Sequence, residues 1–268
     1  MSMSTLKRMT AVVLTIAGLA GAGRADTYGR YTIVGTYLTD ASDGAAGLYF
    51  QTIAEQGSTK AEYAVIGCVY PVRTCTAATG NLVIPETLNG VPVRKIQAGA
   101  FVANNNIKSV VLPANLREIG VKAFASCMSL TNVTCSGSGL ASIGECCFSN
   151  CYSLANMTLP ASLQRIGRNA FVLCDNLAWV HFKGHAPMLD EIPSDAQASY
   201  FGEKRWTSGT APARTRFYVE RGTYGWNGPY RSGLPDKWPL ACGYMNAHPI
   251  AYWPESKLGL SMHVGMAN

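Results

Sequence analysis

The chain is short of charge. Of its 268 residues only 14% are Asp, Glu, Lys or Arg, and it holds four histidines. It has no Gly-x-Ser-x-Gly elbow, no phosphate-binding glycine loop and no His-Glu-x-x-His pair. No catalytic, cofactor-binding or metal-binding residue is assigned on this basis, and the reading is of a protein that is not an enzyme. A carboxylate pair assembled by folding has no sequence signature. Beyond residue 25 there is also no apolar run of the roughly 20 residues that a membrane-spanning helix needs, so the mature chain is expected to carry no transmembrane segment. Leu234-Pro235-Asp236-Lys237-Trp238 lacks the threonine-glycine end of a wall-sorting signal.

The one apolar start is short. Lys7 and Arg8 precede the small, apolar run Met9 to Gly23, and Gly23-Arg24-Ala25 fits a small-x-small cleavage site. Residues 1–25 read as a secretory signal peptide, which makes the protein secreted or displayed at the cell surface. Removing them takes away Lys7, Arg8 and Arg24 and no acid, leaving 19 basic and 16 acidic groups, a formal charge of +3. That is too little to argue for nucleic acid as a partner.

What the chain has is repetition. Ile119-Gly120 is followed by Ala123-Phe124, Cys127, Leu130 and Val133. The same line recurs as Ile143-Gly144 with Phe148 and Cys151, and as Ile166-Gly167 with Ala170-Phe171 and Cys174. A looser copy carries Ile96, Ala100-Phe101 and Asn104. Phenylalanines 101, 124, 148 and 171 fall 23, 24 and 23 residues apart, and a fixed period in the twenties marks a stacked solenoid. The pairs Leu82/Ile84, Val110/Leu112, Val133/Cys135, Met157/Leu159 and Val180/Phe182 alternate with outward residues, the period of a strand with one buried face. Equivalent strands of successive coils must run parallel. Pro85, Pro113 and Pro160 close three of them, having no N–H to give a ladder. Gly120, Gly144 and Gly167 recur where the backbone is expected to need a conformation costly to other residues, with Gln97 the exception. The Ala-Phe pair and the following Cys are placed in a short helical or 3-10 turn opposite the sheet.

This line, I-G-x-x-A-F-x-x-C-x-x-L-x-x-V-x-L-P, resembles the BspA-like class of leucine-rich repeats over roughly residues 82–183. Leu82 to Val93 resembles the start of such arrays, and Phe217-Tyr218-Val219 with Gly222 to Trp226 resembles their exit. Ser136-Gly137-Ser138-Gly139 departs from the pattern where proline stands in other copies. The resemblance implies an α/β leucine-rich-repeat solenoid with a parallel sheet on one side. It also implies a secreted or surface protein, in a class with members linked to adhesion. The expected organisation is an N-terminal cap at 26–81, repeats at 82–183, then an irregular insertion at 184–215, a last strand at Arg216 to Val219 and a C-terminal cap ending at 268. Short strands are expected at Tyr31 to Val34, Leu48 to Phe50 and Glu62 to Ile66.

Cysteine number is odd, nine. Cys127, Cys151 and Cys174 share one repeat position with Asn104. Cys147 aligns with the alanine column and Cys135 with Leu112 and Leu159. These five are expected to point inward as small apolar residues. Rungs about 4.8 Å apart hold parallel Cβ vectors slightly too far apart for a relaxed disulfide. Cys68 and Cys75 lie before the repeats around Pro71, where an exported protein can close a loop with a disulfide; a reduced pair is the alternative. Cys146 and Cys242 are left over.

Outward strand positions make the candidate binding face: Ser109, Val111, Asn132, Thr134, Asn156, Thr158, Trp179 and His181. A regular array of this sort suits an extended macromolecular partner, an extracellular protein or a glycan; a merely solvated face is the alternative. Trp179 is either an interface anchor or covered by residues 184–215. Asn132-Val133-Thr134 and Asn156-Met157-Thr158 are formal glycosylation sequons, but one repeat position written twice explains both. His181 and His185 have zinc spacing on a helix only, and here a strand and Gly184 intervene. Trp206, Trp226, Trp238 and Trp253, with Tyr224, Tyr230 and Tyr244, follow the last full repeat. They either stack on sugar rings, making the chain a carbohydrate-binding protein, or seal the open end of the solenoid.

Overall fold

The computed structural model describes residues 31–38, 48–55, 58, 60–67, 75, 77–189, 215–221, 223 and 250–253. The expected solenoid is present, with two parallel stacks of coil strands instead of one. The seven-stranded sheet runs in the order β16 (Ile250–Trp253), β15 (Arg216–Glu220), β13 (Trp179–Phe182), β11 (Asn156–Leu159), β9 (Asn132–Cys135), β7 (Ile107–Leu112), β4 (Gly80–Val83). Every pairing in it is parallel. The second sheet is built on the Ile-Gly corner: β6 (Val91–Ile96), β8 (Glu118–Ile119), β10 (Ser142–Ile143), β12 (Arg165–Ile166) and β14 (Met188–Leu189) stack in parallel. Two-residue strands leave no alternating pattern to read in sequence. β14 carries this ladder past Lys183, into the stretch expected to be irregular.

The expected strands near the N-terminus are β1 (Tyr31–Leu38), β2 (Tyr49–Glu55) and β3 (Tyr63–Ile66), joined antiparallel. β3 then pairs in parallel with β6, so this meander continues the second sheet. The two-residue β5 (Thr87–Leu88) folds back on β6.

Between the sheets lies a core of columns. Leu82, Ile84, Val110, Leu112, Val133, Met157, Leu159, Val180 and Phe182 are buried, as are Ile96, Ile119, Ile143 and Ile166. Phe101, Phe124, Phe148 and Phe171 are fully buried and stack ring on ring, with centroids 4.8, 5.4 and 5.4 Å apart and planes within 12° of parallel. Cys135 lies at the margin, half-buried against this core.

The segment opposite the seven-stranded sheet is not a helix; the described residues contain none. It is a chain of overlapping turns. In one coil Ala123 donates to Gly120, Ala125 to Lys122 and Cys127 to Phe124, each across three residues. The intervening N–H groups are taken by the next coil: Lys122 donates to Glu145, Phe124 to Cys147 and Ser126 to Ser149. Half the donors a helix would use along its own axis therefore hold neighbouring coils together. The geometry puts Lys122 and Ser126 at φ +54° and +60°, the third place of a turn, as type II turns require. Cys146, Asn150, Asn169 and Leu173 repeat it.

The glycine column has a different reason from the one expected. Gly120, Gly144 and Gly167 are not among the positive-φ residues. They are glycines because coils approach too closely for a side chain: a Cβ on Gly144 would lie 2.6 Å from the carbonyl carbon of Gly120 and from the amide nitrogen of Val121. Gln97 fits because the glycine stands one rung earlier. Ile66 pairs with Ile96, so Gly67 faces Gln97, and a Cβ on Gly67 would sit 3.0 Å from that of Gln97.

Candidate binding face

The outward residues of the seven-stranded sheet fall into two columns. Asn81, Ser109, Asn132, Asn156, Trp179 and Arg216 are successive partners in one. In the other, Val83 pairs with Val111 and Val111 with Thr134, while Thr158 pairs with His181 and His181 with Tyr218. Parallel register thus lines up in one row residues whose extremes, Asn81 and Arg216, are more than a hundred positions apart. Asn132 and Thr134 are exposed, and Ser109, Val111, Asn156, Thr158 and Trp179 are half-buried. Val83, absent from the sequence-based set, is 52% exposed; its place as outward neighbour of Leu82 was the signal available. The polar side chains bond to one another: Ser109 Oγ donates to Asn81 Oδ1 at 2.9 Å, and Asn132 Nδ2 donates to Thr134 Oγ1 at 3.1 Å.

His181 departs from the expected open position. It is 3% exposed, and its Nε2 lies 3.0 Å from Glu220 Oε1 on the next strand. Burial holds its pKa below the ordinary histidine value, against the opposing pull of the Glu220 carboxylate. Trp179 meets Tyr218 edge to face, with centroids 6.4 Å apart at 77°. Trp206, Trp226 and Trp238 lie outside the described residues, as do residues 1–25, Cys68 and Cys242; only the backbone of Trp253 is placed, on β16.

The thiols form a second array, inside. Cys127 Sγ donates to the carbonyl of Phe101, Cys151 to that of Phe124 and Cys174 to that of Phe148, each at 3.1 Å. Asn104, at the head of this column, does the same work twice, donating to the carbonyls of Cys75 and Ala78 at 2.9 and 2.8 Å. Burial pushes the Cys127 and Cys174 thiols up to about 12 and Cys135 to about 11, and drives Cys147 and Cys151 upward as well. These are protonated hydrogen-bond donors, unsuited to nucleophilic attack. Cys127, Cys135, Cys146, Cys147, Cys151 and Cys174 are free thiols. Cys75 is buried, with its sulfur 3.2 Å from the backbone nitrogen of Tyr49. Among the described residues no group of three or more His, Cys, Asp or Glu is arranged to hold a metal.

Residues 81–198 match the BspA type leucine rich repeat region, in six copies. Over those residues the chain is a BspA-type leucine-rich repeat array. Among solved structures, the chain is similar to a leucine-rich repeat protein of T. pallidum, at 24% identity over 61% of this chain and 65% of that one, with a TM-score of 0.45. The chain therefore spans just under two thirds of that protein. A leucine-rich repeat protein of Bacteroides capillosus matches at 24% identity over 52% of this chain and 85% of its own, with a TM-score of 0.33. A leucine rich cell surface protein of Faecalibacterium prausnitzii matches at 18% identity, covering 74% and 56%, with a TM-score of 0.34. No curated protein matches the chain.

Proposed function

We propose that this BspA-type array is an exported protein that binds another macromolecule, in protein–protein interaction or adhesion, through the outward face of its seven-stranded sheet. The observation that carries the reading is the register. Asn81, Ser109, Asn132 and Asn156 stand on successive rungs, with Val83, Val111, Thr134 and Thr158 two residues on. Side chains at a fixed spacing on a rigid support can meet an extended partner at several points, with no ordering cost in the protein. The signal-like residues 1–25 support export. Multivalent contact is the mechanism, and no covalent chemistry is assigned to it.

The test is a pull-down with the mature chain against extracellular proteins and polysaccharides, repeated with Asn132→Ala/Thr134→Ala. Both side chains are exposed, so the double variant is expected to melt like the parent and to lose partner binding about tenfold, the effect of one or two net hydrogen bonds. A captured partner held equally well by the variant places the contact elsewhere.

A further inference from the structure

The face has a chemistry narrower than "binding surface". On β4, β7, β9 and β11 its eight outward positions, from Asn81 to Thr158, carry no charge. Six are amides or hydroxyls and two are valines. Two exposed cations flank these positions, Lys108 beside Ser109 on β7 and Arg216 beside Trp179 on β15. Lys95 pairs with Glu118 on the second sheet and Arg168 with Glu145 on the turn side, each at 2.8 Å, while beyond β11 on the face itself His181 lies against Glu220. At the far end of the neutral rows the half-buried Trp179 ring is held edge-on by Tyr218.

An asparagine amide presents a donor and an acceptor side by side. That matches the paired hydroxyls of a sugar, each of which is also donor and acceptor. Asn132 and Thr134 each hold only one mutual bond, which leaves the Asn132 carbonyl oxygen, one of its N–H donors and the Thr134 hydroxyl proton for a ligand. An aromatic ring beside such groups supplies the apolar surface on which a pyranose ring stacks. A polyanion would meet only Lys108 and Arg216 at the edges of this patch, and no charge on the eight positions themselves. We infer that the partner of this face is an uncharged polysaccharide, lying across the rungs with its hydroxyls on the Asn81–Ser109–Asn132–Asn156 row and one sugar ring against Trp179. This rests on the proposed use of the face and names its ligand class; it differs from glycan binding by the C-terminal tryptophans.

Affinity electrophoresis of the mature chain in gels containing β-glucan, mannan or xylan, beside polygalacturonate as an anionic control, tests it. Retardation by at least one neutral polymer is expected, changing less than about twofold between low and high salt because no charges are paired. Asn132→Ala/Asn156→Ala should weaken retardation about three- to tenfold, and Trp179→Ala about tenfold, with melting temperature followed in each. Trp226→Ala should leave it unchanged. Retention only by polygalacturonate with steep salt dependence, or no retention by any neutral polymer, overturns the inference. If a protein partner is then lost on Asn132→Ala/Thr134→Ala, the face stands and only its ligand class falls. Neutral-glycan binding that Trp226→Ala abolishes and the face variants leave intact removes both.

Discussion

At the level of single residues, the thiol column joins composition to stability. Each of Cys127, Cys151 and Cys174 gives a second hydrogen bond to a carbonyl of the preceding coil and stays protonated there. A thiol titrates near 9.0 when unfolded, and burial holds Cys127 and Cys174 to about 12. The unfolded chain therefore releases protons first as pH rises. Stability is fully present below pH 9 and is lost toward pH 12, at about 1.4 kcal/mol per pH unit for each thiol. Thermal melting from pH 7 to 11 should show a steep fall above 9, made shallower by Cys127→Ala. That substitution should itself cost about 0.5–1.5 kcal/mol at pH 7, the net worth of one hydrogen bond, because the Phe101 carbonyl still accepts from the Asn104 N–H. Phe148→Ala, which removes a ring stacked on both sides, should cost about 3–5 kcal/mol in denaturant titration. These inward columns were legible because like residues recur at one position. The burial of His181 was not, because its partner Glu220 lies 39 residues away, beyond any local pattern.

At the level of elements, the two corners of each coil obey different rules. The Ile-Gly corner is limited by backbone approach, so Gly144→Ala should cost several kcal/mol by overpacking. Gly90→Ala has open space and only its φ of +76° to resist it, and should cost about 1 kcal/mol. Paired melting curves of the two variants check this order. The turn segment shows why the expected short turn does not wind on into a helix. An Ala-Phe pair with an apolar residue three on suits a helical turn, but the N–H of Phe124 is claimed by Cys147 of the next coil. Non-glycine residues such as Lys122 and Leu173 are then held at positive φ, which no composition signal announces. At Ser136, where other copies have proline, the N–H donates to the Leu112 carbonyl, a bond proline cannot make, and at Gly137 a Cβ would meet that of Ala114 at 2.4 Å.

For the whole molecule, coil-to-coil contacts dominate, so length should be adjustable in whole coils and in nothing else. Deleting residues 121–144 joins Gly120 to Glu145 and keeps every column in line. The product should fold cooperatively with a lower melting temperature, whereas deleting 121–132 should abolish cooperative unfolding by setting one sheet's residues against the other's. Circular dichroism melting of both distinguishes them. The glycine row gives this growth a direction. Each of Gly120, Gly144 and Gly167 makes room for the coil before it, while at the front the side-chain-free position is Gly67 and Gln97 fills the space. A gene duplication that inserts a copy after Ile119 brings its own clearance along. One inserted ahead of Gln97 would press that side chain into a newly arrived main chain, so added coils are accommodated after Gln97 and not before it.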